Sequence, residues 1–138
     1  MAGFVPNAWA ARLLEATAGK TAITASTLYL GLATAMPNDP LTATLANLTE
    51  VTTAGYARKQ IPAFGSASTT APIKITTPTA FSFNAFTEDQ ATPANWAFLT
   101  DAASGTVGTL RYIFQLEVPV LGRNGEPLNI PASTLIIE

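Results

Sequence analysis

A long run of alternating apolar and polar residues near the C-terminal end is the feature that most constrains this chain. Within 110–118 every second residue is apolar, and three of the four intervening positions hold Arg111, Gln115 and Glu117. Successive side chains of a β-strand point to opposite faces, so this pattern predicts a strand with one face on a core. A strand cannot bury that face alone, and the rest of the chain must supply its partners.

Shorter runs with the same period occupy most of the remaining sequence. They predict strands at 28–32, 56–61, 73–76, 81–85, 96–99 and 135–137. The 96–99 run is apolar on both faces, which indicates a central strand. Turn signals separate these runs at the spacing typical of sandwiches and barrels. With seven or eight short strands, the chain is predicted to be mainly β, as a single β-sandwich or jelly-roll-like domain with one N-terminal helix.

The helix is predicted over residues 4–18. Val5, Trp9 and Leu13 follow one another at a spacing of four, and Gly19 suits the position just after a helix end. The apolar stripe predicts that Trp9 packs on the body of the domain. The alternative is that Trp9 anchors the helix on a neighbouring subunit.

A break in the alternating pattern at 36–40 has two interpretations. Asp39 followed by Pro40 is typical of a helix start, which favours a short helix with Leu41, Leu45 and Leu48 on one side. A loop with one helical turn is the alternative.

The length of 138 residues fits one domain, in which 1–26 forms an N-terminal arm and helix and 27–138 forms the β-domain. Cysteine and histidine are both absent from the sequence. Disulfides and thiolate metal sites are therefore excluded, together with the commonest general base and metal ligand. A net charge of -2 with seven scattered basic residues argues against nucleic-acid binding. No segment is long and apolar enough to predict a membrane span.

Few residues suggest catalysis. Lys20, Lys59 and Lys74 stand in no Ser-x-x-Lys arrangement, which leaves no predicted base for a serine nucleophile. Glu88 and Asp89 are the local carboxylate pair, but adjacent acids in a polar turn are usually solvated. The sequence therefore predicts no catalytic, cofactor-binding or metal site, and a protein that is not an enzyme.

Charged residues make up 12% of the chain, about half the usual share. This composition fits a threonine-rich β-protein surface, and it equally fits surfaces covered by partners. The densest basic spot is 56–59. There Arg58 is interpreted as an exposed strand end, or alternatively as half of an ion pair between subunits.

Several segments, in their order along the chain, resemble small bacteriophage virion proteins. Members of that family are often described as tail-fibre-like, and some act as capsid decoration (cement) proteins. Gly-Tyr-Ala-Arg at 55–58 and Leu-Asn-Ile-Pro-Ala at 128–132 resemble it most closely, and the chain departs from it at 38–48 and 87–93. The other matching segments are 13–14, 27–32, 35–37, 49–51, 81–83 and 96–102 with Gly105.

The resemblance implies a protein made in the host cytoplasm and placed in the virion, on the capsid exterior. It implies a decoration protein that bridges and stabilises major capsid subunits; the alternative is a tail-associated fibre or tip protein for host attachment. The expected partners are further copies, as a homotrimer, and the major capsid protein, with no nucleic acid and no membrane. The residues expected at these contacts are Phe4, Val5, Trp9, Pro37, Asp39 and Arg58.

Overall fold

The computed structural model of the protein describes residues 2–71, 75–77, 79–130 and 136–137. It is mainly β with one α-helix near the N-terminus, α1 (Asn7–Thr17), which confirms the predicted fold class. The ten strands of the described part are β1 (Ala2–Phe4), β2 (Tyr29–Ala35), β3 (Thr49–Glu50), β4 (Lys59–Gln60), β5 (Ile75–Thr76), β6 (Phe81–Phe83), β7 (Ala94–Thr100), β8 (Leu110–Val120), β9 (Leu128–Ile130) and β10 (Ile136–Ile137). No helix in these residues has the length and apolar character needed to cross a bilayer.

One antiparallel sheet of six strands organises the molecule. Its order is β1-β8-β7-β2-β3, and β4 pairs with the other end of β2. The predicted central strand is confirmed, since β7 lies between β8 and β2 and pairs with both. β6 pairs with β9, and β5 pairs with β10, in two small antiparallel sheets.

Both faces of the main sheet are covered by apolar side chains. Leu30, Leu99 and Phe114 belong to one core cluster, which also contains Phe83 of β6. The opposite face carries a second cluster, formed by Ala33, Phe98, Leu110 and Ile113 with Ala43, Leu45 and Leu48 from the segment after β2. Layers on both sides of one sheet give a β-sandwich-like domain.

The predicted alternation in β8 holds only in its middle. The pairing with β7 shifts register between Leu99 and Thr100 and again between Ala94 and Trp96. The first shift places Leu110 in the cluster of Ile113, on the face opposite Phe114. The prediction that all five alternate residues face one core is therefore wrong at both ends, and Val118 is 76% exposed. A bulge changes the phase of a strand without changing its sequence pattern.

The predicted strand at 56–61 is shortened to β4. Gly55 has a φ of +87°, which glycine adopts readily and which turns the chain before Tyr56. Tyr56 and Arg58 follow this turn outside any strand, and their side chains form the polar contacts described below. Of the other predicted strands, residues 73, 74 and 135 lie outside the described part, while Ile75–Thr76 and Ile136–Ile137 form strands as expected.

The N-terminal helix begins three residues later than predicted, because Ala2–Phe4 pairs with β8 as a strand. Its predicted end is confirmed, since Gly19 has a φ of +72° just after α1. The predicted stripe is wrong in one respect: no residue of α1 is fully buried, and Leu13 and Leu14 are 41% and 71% exposed. The division at residue 26 stays a prediction, and β1 joins the arm to the main sheet.

The segment after β2 forms the loop with one helical turn. This is a 3-10 turn at Pro40–Thr42, and the Leu41 N–H donates to Asp39 Oδ1 at 3.1 Å. Leu45 and Leu48 are buried beyond the turn and cover the second face of the sheet.

Gly31 of β2 lies directly under the aromatic ring of Phe98 on β7. A Cβ atom at Gly31 would overlap this ring, so the close approach requires glycine. Phe98 is fully buried, and its ring has no free space into which to move.

We predict that Gly31→Ala lowers the free energy of unfolding by about 1–3 kcal/mol, because it overpacks the centre of the sheet. Gly65→Ala is the matched control, since the nearest atom to its Cβ would be Thr76 O at 4.0 Å. We expect that control to change stability by less than about 0.5 kcal/mol in urea unfolding. Equal stabilities for the two variants would contradict the steric argument.

Candidate functional site

The buried side chain of Arg58 forms an ion pair with Glu50 that joins β3 to the segment before β4. Arg58 Nε donates to Glu50 Oε1 at 2.8 Å, and Arg58 Nη2 donates to Glu50 Oε2 at 2.7 Å. The Arg58 side chain is 2% exposed and the Glu50 side chain 25% exposed. Two parallel hydrogen bonds between a guanidinium and a carboxylate fix their relative orientation as well as their distance.

The same guanidinium also holds the connection between β7 and β8. Arg58 Nη1 donates to the carbonyl of Ala102 at 3.0 Å, and Nη2 donates to the carbonyl of Gly105 at 2.7 Å. Its central carbon lies 5.4 Å from the centre of the Phe98 ring. Arg58 therefore links its own segment and nearby β3 to a connection more than forty residues further along the chain, and it lies over Phe98, the core residue that covers Gly31.

Tyr56 completes this polar network. Its hydroxyl donates to Glu50 Oε1 at 2.8 Å and accepts from the Leu32 N–H of β2 at 2.8 Å. Its ring packs against Phe83 and Phe86, with ring centres 6.1 and 6.2 Å away. Burial, and next the charge of Glu50, raise the pKa of Tyr56 far above its ordinary value.

The network is built to hold structure rather than to transfer protons. Glu50 Oε1 accepts two hydrogen bonds and Oε2 accepts one, all from side chains of the same chain. Tyr56 retains its proton at ordinary pH, and a guanidinium offers donors but no acceptor for a proton. Glu50, Tyr56 and Arg58, which we call the clamp, act as a fixed tie between strands.

The carboxylate pair singled out in the sequence is divided between two loops. Glu88 Oε1 accepts from the Ala54 N–H at 3.1 Å, whereas Asp89 Oδ1 accepts from the Asn124 N–H at 2.9 Å. Asp89 also lies 4.0 Å from Arg123 in an exposed ion pair. Each carboxylate accepts a hydrogen bond from the backbone of a different loop, which stabilises both loops. Glu88 and Asp89 therefore do not face each other across a common cleft.

A second cluster connects the N-terminal helix to the sheet. The guanidinium carbon of Arg111 lies 4.4 Å from the centre of the Trp9 ring, and Arg111 Nη2 donates to Ser26 Oγ. Asp101 lies 3.5 Å from the same Nη2 and accepts from the Thr109 N–H at 2.7 Å. Arg111 thus joins the helix and the segment that follows it to β8.

Neither cluster is arranged as a metal site. Among residues 2–71, 75–77, 79–130 and 136–137, no three acidic side chains lie close enough together to hold a metal ion. A cleft of about 520 Å³ beside β4 is lined by uncharged residues, including Thr27, Gln60 and Phe64.

Comparison with known protein families identifies the group to which this chain is related. The model of a family described as podophage GP4 fiber I protein gp80 matches residues 5–138, which leaves out only the first four residues. The chain belongs to this fiber I family. The predicted membership of a family of phage virion structural proteins, tail-fibre-like, is confirmed. No curated protein matches the chain.

Several of the segments that carried the resemblance meet at the clamp of this fiber I family member. Glu50 lies in 49–51, Tyr56 and Arg58 in 55–58, and Ala102 at the end of 96–102, with Gly105 accepting from Arg58. Residues 131 and 132 of the closing segment lie outside the described part. Four separate stretches of sequence thus share one structural role.

The predicted contact residues are placed in different surroundings. The ring centres of Phe4 and Trp96 are 6.3 Å apart, and Trp9 stacks on Arg111. Val5 and Pro37 are half-buried. Asp39 caps the 3-10 turn. The statement that these residues contact other subunits remains a prediction.

Arg58 needs a correction. Its interpretation as an exposed strand end is wrong, because the residue is 8% exposed and its ion-pair partner is Glu50 of the same chain. Sequence reasoning did not connect Glu50 or Tyr56 with Arg58. Glu50 and Arg58 are opposite charges eight positions apart on either side of Gly55, and this spacing is the sequence signal that could have found the pair.

We predict that Arg58→Met lowers the free energy of unfolding by about 3 kcal/mol, because it leaves the Glu50 carboxylate and two carbonyls without their donor. Arg123→Met is the matched control. Its side chain is 57% exposed and 4.0 Å from Asp89, and we expect a loss below about 1 kcal/mol. Adding Glu50→Gln to Arg58→Met should recover part of the loss in a double-mutant cycle. Similar losses for Arg58→Met and Arg123→Met would refute a special role for the clamp.

The raised pKa of Tyr56 predicts alkaline destabilisation. Above about pH 10 the unfolded chain loses this proton while the folded chain keeps it, so stability falls by up to about 1.4 kcal/mol per pH unit. Tyr56→Phe removes that contribution, together with a hydrogen bond that stabilises wild type at neutral pH. The stability difference between wild type and Tyr56→Phe should therefore shrink between about pH 9 and pH 11 in urea titrations. A difference that stays constant would show that the hydroxyl ionises as readily in the folded chain as in the unfolded one.

Proposed function

We propose that this fiber I family member is a non-catalytic structural subunit of the virion that works by binding other virion subunits. The observation that carries the proposal is that charged groups lie inside the fold while apolar side chains lie at its surface. The charged groups of the clamp lie inside, tied to their own chain, while Leu13 and Leu14 of α1 are exposed. An exposed apolar patch on a small protein is typical of an interaction surface.

The distribution of carboxylates supports a role without catalysis. Glu50, Glu88 and Asp89 each accept hydrogen bonds that join separate segments of the chain. A general acid or base must instead exchange its proton with a substrate in a cleft. Glu88 and Asp89, the carboxylate pair that the sequence analysis considered for catalysis, therefore have structural roles in this fold.

Within the virion, we propose a position in the tail fibre apparatus. The family model carries the description of a fibre protein, and it covers nearly the whole chain. The described residues form a layered domain rather than a repeated shaft, which favours a fibre base or tip. Partners under this proposal are further copies of the chain, as a homotrimer, and an adjoining tail protein.

Capsid decoration is the second candidate, with the major capsid protein as partner and the capsid exterior as the site. It is favoured by the same layered domain, because a small β-domain with an exposed helix can bridge neighbouring shell subunits. Such a protein stabilises a shell by binding only its assembled form.

The test is electron microscopy of particles that carry a tagged copy of this protein, with the amount bound measured on purified virions. We expect the label on the tail, and about tenfold less incorporation of a Leu14→Ser variant, because an apolar contact is lost. Val107→Ser is the matched control, since Val107 is 89% exposed on the turn before β8, and it should incorporate like wild type.

Label confined to the head would replace the fibre position with capsid decoration. Absence of label from intact virions would overturn the structural role itself. Equal incorporation of the Leu14→Ser variant and wild type would remove α1 from the binding surface.

A further inference from the structure

We propose that the N-terminal arm, residues 2–17 with β1 and α1, is exchanged between copies, so that each arm docks on β8 of a second copy. This inference rests on the proposed function, because it names the partner and the contact through which virion subunits are joined. The single-chain structure shows the docked arm and the surface that receives it.

The seat of the arm consists of a few well-defined contacts on the body. β1 pairs antiparallel with β8 over three residue pairs, from Ala2 opposite Gln115 to Phe4 opposite Ile113. Phe4 packs near Trp96 of β7, and Trp9 lies on the Arg111 guanidinium of β8. Backbone pairing at a sheet edge and one stacked ring form equally well with an arm from another chain.

The connection between arm and body permits this exchange. Residues 18–28 form neither helix nor strand, and most of them are exposed. Eleven extended residues span up to about 36–40 Å. A domain of this length has a radius of gyration of about 14 Å, and hence a diameter of roughly 37 Å. The linker is therefore long enough to carry the arm to the matching seat on a neighbouring copy.

The arm is only partly stabilised within its own chain. α1 has eleven residues, no side-chain N-cap, no acidic residue in its first turn and no basic residue in its last. A helix of this length depends on packing, yet no residue of α1 is fully buried. Leu14 points away from the face that carries Trp9, since the two are five residues apart.

Exchange of the arm between copies buries the side of α1 that is exposed in the single chain. The contacts of β1 and Trp9 are the same in either arrangement, so they do not oppose it. An arm seated on a second copy brings two bodies together, and under this proposal the neighbouring copy covers the exposed side of α1. Because Leu13 and Leu14 lose water only in the assembled form, the exchanged arrangement is favoured at the high local concentration of a virion.

The test uses the natural absence of cysteine. Ala2 and Gln115 are register partners across β1 and β8, and antiparallel partners have Cα atoms at a separation that a disulfide spans. Ala2→Cys and Gln115→Cys are made in separate, differently tagged full-length copies, which are co-expressed and then oxidised. A disulfide between these two copies forms at this pair only when the arm of one docks on the other.

The matched control replaces Gln115→Cys by Thr106→Cys, an exposed position on the turn before β8. We expect the mixed disulfide to exceed that control roughly tenfold or more, because register pairing holds the two sulfurs together. A single chain carrying both Ala2→Cys and Gln115→Cys should give covalent multimers on non-reducing gels. Circular dichroism under reducing conditions checks that each variant is folded.

A mixed disulfide at the control level, with the double variant running as an internally bridged monomer, would overturn arm exchange. That outcome would mean that the arm stays on its own body and that Leu13 and Leu14 dock on a different virion protein. The proposed virion role would be untouched, since it is decided separately by where the label lies on the particle.

Discussion

The Glu50–Arg58 ion pair is the interaction on which the layered fold depends. Burying a guanidinium is costly unless its donors find acceptors, and Arg58 donates four hydrogen bonds to Glu50 and to the carbonyls of Ala102 and Gly105. Tyr56 adds a link from Glu50 to the backbone of Leu32. β3 and β4 pair with β2 over only two residues each, and these side chains tie their segments further to β2 and to the connection between β7 and β8.

How much of this architecture the sequence predicts depends on how far apart along the chain the interacting residues lie. β8 is recognisable because its alternation extends over 110–118, and β7 is recognisable because its run at 96–99 is apolar on both faces. The segment at 56–61 is also predicted as a strand, but Tyr56 and Arg58 lie outside β4 because Tyr56 bonds Leu32 and Arg58 bonds Gly105, which are distant in sequence. No local pattern contains that information, and β1, with three residues, is too short to show a period.

The clamp also explains why the expected roles of charged residues were only partly predictable. A sequence poor in charge suggests covered surfaces, and Arg58 was expected at such a surface. The structure instead places this charge inside, where Phe98 and two carbonyls surround it. The Leu13–Leu14 pair, expected on a packed stripe, is exposed. The helical period was right, but the width of the buried face is set by what the body offers to α1.

The interior of the body and the exposed side of the arm are therefore stabilised by different interactions. This difference separates folding of the body from assembly. The body is stabilised by two apolar clusters and the clamp, none of which includes a residue of α1. The arm adds three backbone pairs, the contacts of Phe4 with Trp96 and of Trp9 with Arg111, and the buried Pro6 at the edge of that body. Under arm exchange, the arm leaves this seat while both apolar clusters and the clamp stay intact. A virion subunit that assembles in this way gains further stability only where neighbouring copies or partners cover its helix.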